Sequence, residues 1–125
     1  MTDHDVSAYL VPEPMSKTTA LFVLFLAAIL EAGGDALVRS GLRAPTLPIR
    51  LALFALGGLV LFSYGYVVNT PTWDFGRLLG IYVVFFFVTA QLISWLVFGQ
   101  PPTHAVLLGG AFVIVGGVIM SAWSQ

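Results

Sequence analysis

The chain has 125 residues, of which 58% are hydrophobic and 9% are charged. A soluble globular domain carries about 25% charged residues, and so few charges cannot cover a surface that faces water, so the composition predicts a membrane protein. The net charge of −1 excludes a basic surface for nucleic acid, and the absence of cysteine excludes disulfides and thiolate metal sites.

The chain begins with a polar lead-in. Its first 16 residues contain three acidic residues and two prolines. A secretory signal peptide instead begins with basic residues and ends at a small-residue cleavage site. We therefore divide the chain into a lead-in, residues 1–16, and one transmembrane domain, residues 17–125.

Four apolar stretches follow, each of about 20 residues, the length that a helix needs to cross the hydrocarbon core of a bilayer. They cover residues 17–38, 48–68, 75–98 and 103–123. Only a helix satisfies its own backbone hydrogen bonds in lipid, apart from closed barrels. The sequence therefore predicts an all-α membrane protein, a four-transmembrane-helix bundle whose short connections make consecutive helices antiparallel.

The distribution of Lys and Arg hardly specifies an orientation. With four spans, one side of the membrane carries both termini, Lys17 and Arg77, and the other carries Arg39, Arg43 and Arg50. Cytoplasmic ends usually carry the excess of these residues. This difference of one charge is compatible with two topologies. In a fixed topology both termini lie outside the cytoplasm, and in a dual topology copies insert in both directions.

Glu31 lies well inside the first predicted span. An ionised, unpaired carboxylate costs several kcal/mol there, so intramembrane acids usually mark a path for ions or substrates. We interpret Glu31 as a candidate proton and substrate site; the alternative is a structural acid that is protonated or paired with Arg39. Asp35 follows one turn later on the same face, and it is both a further site candidate and a candidate i,i+4 ion-pair partner of Arg39.

Aromatic residues of the second and third spans complete the candidate site. A buried carboxylate among aromatic rings suits a lipophilic cation, which gains from charge pairing and from the ring faces. Tyr64 and Tyr82 are the candidates for this role. Ordinary packing is the alternative interpretation, because aromatic residues are common in membrane helices.

The fourth span carries glycines that recur at a spacing of seven: Gly109, Gly110, Gly116 and Gly117. Small residues on one helix face let helices pack backbone to backbone. We therefore interpret this span as a helix-packing and dimerisation helix. Four short helices leave little room for a central cavity, and a homodimer would bring two Glu31 side chains into one chamber.

Three stretches together resemble the small multidrug resistance family of the drug/metabolite transporter superfamily. They are residues 28–39 around Glu31, residues 94–100, and the pair Gly109 and Gly116. Residues 94–100 are similar to that family's Ser-Trp-x-x-Phe-Gly-Gln segment. The resemblance covers residues 21–123. It implies a small-multidrug-resistance-like fold in the bacterial inner membrane and an antiparallel homodimer that exchanges protons for cationic compounds, with Glu31 as the shared site.

The third span departs from that family, which usually has a Tyr-x-x-Trp pair and a Gly-x-Gly kink. This chain has Leu79 and Tyr82 at the pair, and Val84 and Phe86 at the kink. The chain also resembles the YnfA-like small membrane proteins, whose third helix is rich in tyrosine.

The expected function is proton-coupled export of cationic or lipophilic compounds. Two alternatives stay open: an accessory subunit of a larger membrane complex, and a transporter subunit for a lipid-linked substrate. We expect no enzyme, no cofactor and no metal, because the sequence contains no recognisable nucleophile, metal cluster or phosphate loop, and His4 and His104 are isolated.

Overall fold

The structure is a computed structural model that describes residues 15–123. Within this range it contains four helices and no strand: α1 (Lys17–Leu42), α2 (Leu47–Val68), α3 (Phe75–Phe98) and α4 (His104–Ala122). All four are long and apolar enough to cross a membrane. The predicted fold class, an all-α four-helix bundle, is confirmed. Most of the predicted lead-in, residues 1–14, lies outside the described residues.

Side-chain caps define two of the helix starts. The Ser16 hydroxyl oxygen accepts a hydrogen bond from the Thr19 backbone N–H at the start of α1, at 3.2 Å. The Thr103 hydroxyl oxygen accepts one from the Val106 backbone N–H at the start of α4, also at 3.2 Å. These bonds satisfy N–H groups that have no partner within their own helix.

The first helix is longer than its sequence predicts. It continues to Leu42, whereas the polar residues after Val38 indicate an end there. Arg39, Ser40 and Gly41 interrupt the hydrophobic stretch, but none of them prevents helical backbone geometry. Pro45 is the first residue that cannot continue the helix, because it has no backbone N–H.

The central helix of the bundle is α1. It packs along α2 on one side and against α3 on the other, and α3 packs against α4. Among the described residues α4 makes its close backbone approaches to α3 alone, so the helices lie in the spatial order α2–α1–α3–α4. A hydrogen bond also links α1 to α4, because the Lys17 Nζ donates to the Ser121 carbonyl oxygen at 3.0 Å.

Small residues let the neighbours of α1 approach closely. Gly34 and Gly57 face each other where α1 crosses α2, and a Cβ on Gly57 would lie 3.1 Å from the Gly34 carbonyl oxygen. Such contacts are the usual means by which membrane helices pack backbone to backbone. The best-buried apolar cluster lies toward the Lys17 end of α1. Its members are Leu24, Ala27, Ala28, Val68, Leu78, Ile81 and Tyr82.

Large apolar side chains cover the outside of the bundle. Phe22, Phe62, Leu96 and Phe112, one from each helix, are 71–77% exposed. A water-soluble protein would bury such residues, whereas hydrocarbon solvates them. The exposed surface therefore agrees with four membrane-spanning helices.

Candidate functional site

The Glu31 carboxylate forms the centre of a polar site between α1 and α3. Its Oε2 accepts a hydrogen bond from the Tyr82 hydroxyl at 2.5 Å. Tyr82 is only 4% exposed, and its hydroxyl oxygen also lies 3.5 Å from the Ala27 carbonyl oxygen, one turn before Glu31. Tyr82 thus reaches from α3 onto the surface of α1 and holds the Glu31 side chain in place.

The residues around Glu31 explain why the α3 ring can approach it. Ala27, Ala28 and Ala32 are all buried on α1. Their methyl side chains leave room beside the helix backbone that larger residues would fill. A tyrosine from α3 occupies this room with its ring in the apolar core and its hydroxyl at the carboxylate, which is the usual arrangement for a buried tyrosine.

Three aromatic rings line the site beside Glu31. The ring centroids of Tyr64 and Tyr82 are 5.6 Å apart, and those of Tyr82 and Phe86 are 6.2 Å apart. Both tyrosines that the sequence predicts therefore lie together at the carboxylate, one from α2 and one from α3. The sequence interpretation missed Phe86 as a site residue, although its spacing of four from Tyr82 places it on the same face of α3.

A second polar region opens one turn further along α1. It is a pocket of about 270 Å³ between the ends of α1 and α3 that lie near the α1–α2 connection. Its polar and aromatic lining consists of Asp35, Arg39, Phe86, Ser94, Phe98 and Gln100. Asp35 is exposed into this space, whereas Glu31 is half-buried.

The predicted ion pair between Asp35 and Arg39 is not formed. Across residues 15–123 no ion pair involves either side chain. The Arg39 guanidinium instead lies over the Phe98 ring, with its carbon 5.3 Å from the ring centroid. The long Arg39 side chain reaches the last residue of α3, where the ring face attracts the cation, and the Asp35 carboxylate stays accessible.

The end of α3 forms the wall of this pocket. Gly99 adopts a left-handed conformation with φ 66°, and the Gln100 backbone N–H donates to the Ser94 carbonyl oxygen at 2.9 Å. The Ser94 hydroxyl donates to the Gln100 carbonyl oxygen at 3.1 Å. This is a glycine helix cap. It gives a structural reason for Ser94 and Gly99, whereas Gln100 takes part only through its backbone.

The four glycines of α4 fall into two pairs with different surroundings. A Cβ on Gly110 would overlap the Phe87 ring, and one on Gly117 would overlap Val84, so these two residues let α3 pack closely within the same chain. A Cβ on Gly109 or Gly116 would meet no atom of the chain within 4 Å, so these two residues face open space. Only the second pair is available to another chain.

Metal binding receives no support from the described part of the chain. In residues 15–123, no group of three His, Asp or Glu side chains is placed to hold an ion. The groups present at Glu31 are a carboxylate, phenol hydroxyls and aromatic rings.

Comparison with known proteins places the chain in a family. A profile of the family described as "Uncharacterised BCR, YnfA/UPF0060 family" matches residues 15–125. No curated protein and no solved structure matches the chain. The matched range contains all four helices and the whole site around Glu31. The chain is a multi-pass membrane protein that belongs to the YnfA/UPF0060 family, a transporter-like family related to the small multidrug resistance proteins.

Proposed function

We propose that the protein is a proton-coupled transporter that exports cationic or lipophilic compounds from bacteria as a homodimer. Glu31 of each protomer binds a proton and a cationic substrate in turn. The observation that carries this proposal is the hydrogen bond from Tyr82 to Glu31 within membrane-spanning helices. This bond holds a carboxylate in a fixed position among aromatic rings inside the membrane.

The surroundings of Glu31 suit an exchange of two positive ligands. The Tyr82 hydroxyl is a donor, so it stabilises the ionised carboxylate by a charge-assisted hydrogen bond. An ionised carboxylate in hydrocarbon is still costly without a neutralising charge. A proton or an organic cation supplies that charge, and binding of one displaces the other. This competition couples export to proton entry.

The homodimer is part of the proposal because the protomer is thin. Its helices lie in the order α2–α1–α3–α4 rather than enclosing a central chamber. A second copy that packs on the open Gly109 and Gly116 face of α4 provides a partner for the fourth helix. The two Glu31 carboxylates would then bind protons as a coupled pair.

The test is proton release from purified, detergent-solubilised protein when candidate cations are added in a weakly buffered solution. We expect release in the wild type and none in Glu31→Gln, which keeps the side-chain size but cannot ionise. Asp74→Asn is the matched control, because Asp74 is an exposed carboxylate outside the membrane spans and its side chain caps no helix. Unchanged release in Glu31→Gln would contradict the mechanism.

A second candidate function is that of an accessory subunit in a larger membrane complex. The specific observation in its favour is the outer surface of α4, where Phe112 and Val118 are exposed and Gly109 and Gly116 are open. Purification in mild detergent separates the two functions. A dimer that contains this chain alone favours transport, and a companion protein in fixed stoichiometry favours the accessory role.

A further inference from the structure

The pocket at Asp35 adjoins the site at Glu31. Phe86 belongs to both, because its ring packs 6.2 Å from the Tyr82 ring and also lines the pocket. Ala32, the residue after Glu31, lines the pocket as well. Asp35 follows Glu31 by one helical turn, a rise of about 6 Å. A ligand in the pocket therefore lies about one helical turn from Glu31.

Three charged groups determine the electrostatics of this space. Among the described residues, Asp35 and Arg39 are the charged side chains that line the pocket, and Glu31 precedes Asp35 by one helical turn without lining it. Asp35 and Arg39 balance each other in net charge, although Arg39 is held at Phe98 rather than at the carboxylate. The space is neutral when Glu31 is protonated and carries one negative charge when Glu31 is ionised.

This balance limits the charge of a ligand. One proton or one monovalent cation restores neutrality at an ionised Glu31. A divalent cation leaves an excess positive charge beside the Arg39 guanidinium, and like charges a few ångströms apart repel each other. Without Arg39 the two carboxylates would match a divalent cation.

We propose that the Asp35 pocket is an outer binding site for a monovalent organic cation, and that Arg39 excludes divalent cations from it. This inference rests on the proposed exchange at Glu31 and adds the substrate class. Asp35 provides the ionic contact, and the Phe86 ring provides an aromatic wall. At about 270 Å³ the pocket holds a compact cation or the charged end of a larger compound.

The experiment compares hexylamine with 1,6-diaminohexane, which have the same carbon chain and differ in charge. Both are titrated into purified protein, and affinity is read from proton release and by calorimetry. We expect the wild type to prefer the monoamine. The ratio of the two affinities should fall about tenfold in Arg39→Gln, since a positive charge within several ångströms is removed, and should persist in Arg39→Lys.

Arg43→Gln is the matched control. Arg43 is exposed, lies one turn beyond Arg39 at the end of the same helix, and is not among the pocket-lining residues. Its substitution should leave the ratio unchanged. An unchanged ratio in Arg39→Gln, with proton release intact, would overturn the charge filter and leave the proposed exchange standing.

A separate variant tests the pocket itself. Asp35→Asn changes one oxygen for an amide and should weaken monoamine binding by about tenfold, because the ionic contact in the pocket is lost. Calorimetry reads this result even if no proton is released, so a failure of the exchange mechanism and a failure of the pocket are distinguishable. Monoamine binding that is equal in wild type and Asp35→Asn would show that the pocket is not a cation site. The same variant decides the matter if Arg39→Gln does not fold.

Discussion

Tyr82 on α3 donates a 2.5 Å hydrogen bond to Glu31 on α1, and this contact connects the acidic residue of the first helix to the aromatic face of the third. The small multidrug resistance family usually has a tryptophan at the position of Tyr82. A phenol, like an indole, combines a ring face with a hydrogen-bond donor, and the Tyr82 hydroxyl reaches the carboxylate. The altered residue is therefore part of the candidate site.

Removal of the Tyr82 hydroxyl should weaken cation binding. Tyr82→Phe keeps the ring against Tyr64 and Phe86 but deprives the ionised Glu31 of its donor. A hydrogen bond to a charged group contributes about 1.5–3 kcal/mol, so the affinity should fall by about tenfold or more. Calorimetric titration measures this effect. Tyr66→Phe is the control, because Tyr66 is 72% exposed, and equal losses in both variants would contradict a role for the Tyr82 hydroxyl.

Neighbouring glycines of α4 should respond differently to the same substitution. Gly117→Ala places a methyl group where Val84 lies, so α3 and α4 must separate. Overpacking of this kind typically costs about 1–3 kcal/mol. Gly116→Ala meets open space within its own chain and should not lower the stability of the monomer, so both variants are compared in the monomeric state. Thermal unfolding in detergent, followed by circular dichroism, should show a lower midpoint for Gly117→Ala only; a lower midpoint for both would contradict the assignment.

The open glycine pair should determine dimerisation. Leucines at Gly109 and Gly116 would fill the face on which a second α4 could pack closely. We expect this double variant to be monomeric in size-exclusion chromatography with light scattering, while the wild type is dimeric. Ala111→Leu adds similar bulk on the far side of the same helix, where the residue is exposed, and should stay dimeric. A dimeric double variant would place the interface elsewhere.

Hydropathy and chain breakers were sufficient to predict the four spans. An apolar stretch of about 20 residues has few alternatives to a membrane helix, and the third helix, Phe75–Phe98, agrees with its predicted range at both ends. The end of the first helix was less predictable. Arg39 and Ser40 are polar but helix-compatible, so polarity alone placed the end too early.

The candidate site was predictable in its residues but not in its pairings. Glu31, Tyr64 and Tyr82 are unusual enough in an apolar chain to be identified individually, and the structure brings them together. The partner of Arg39 could not be read from spacing, because Phe98 is distant in sequence and reaches it only through the packing of α3 on α1.

The glycine pattern of α4 shows a similar limit. Gly109 and Gly110 are adjacent, so they differ by about 100° around the helix and cannot face the same neighbour. The sequence shows two pairs of adjacent glycines but not which neighbour each glycine faces. Only the packed structure shows that Gly110 and Gly117 serve the chain itself.

The near balance of Lys and Arg is compatible with a dual topology and with a fixed one, and a labelling experiment distinguishes them: the homodimer proposed with opposed copies requires the dual topology. Because the chain has no cysteine, one introduced cysteine is the only target for a membrane-impermeant maleimide on intact cells. Thr46 and Thr72 are exposed and lie in connections on opposite sides of the membrane. In separate variants, Thr46→Cys and Thr72→Cys should each react in only a fraction of the copies, with the rest reacting after permeabilisation.

A change in the charge balance should then shift that fraction in a known direction. Arg43→Ser together with Thr72→Lys reverses the count from two against three to three against two. The side that carries the termini then has the excess, which favours a cytoplasmic position for it. The label at Thr46→Cys should therefore increase in this background. In the otherwise unchanged chain, complete labelling at Thr72→Cys and none at Thr46→Cys would instead establish a fixed orientation with both termini outside. All copies would then insert the same way, which would exclude an antiparallel dimer.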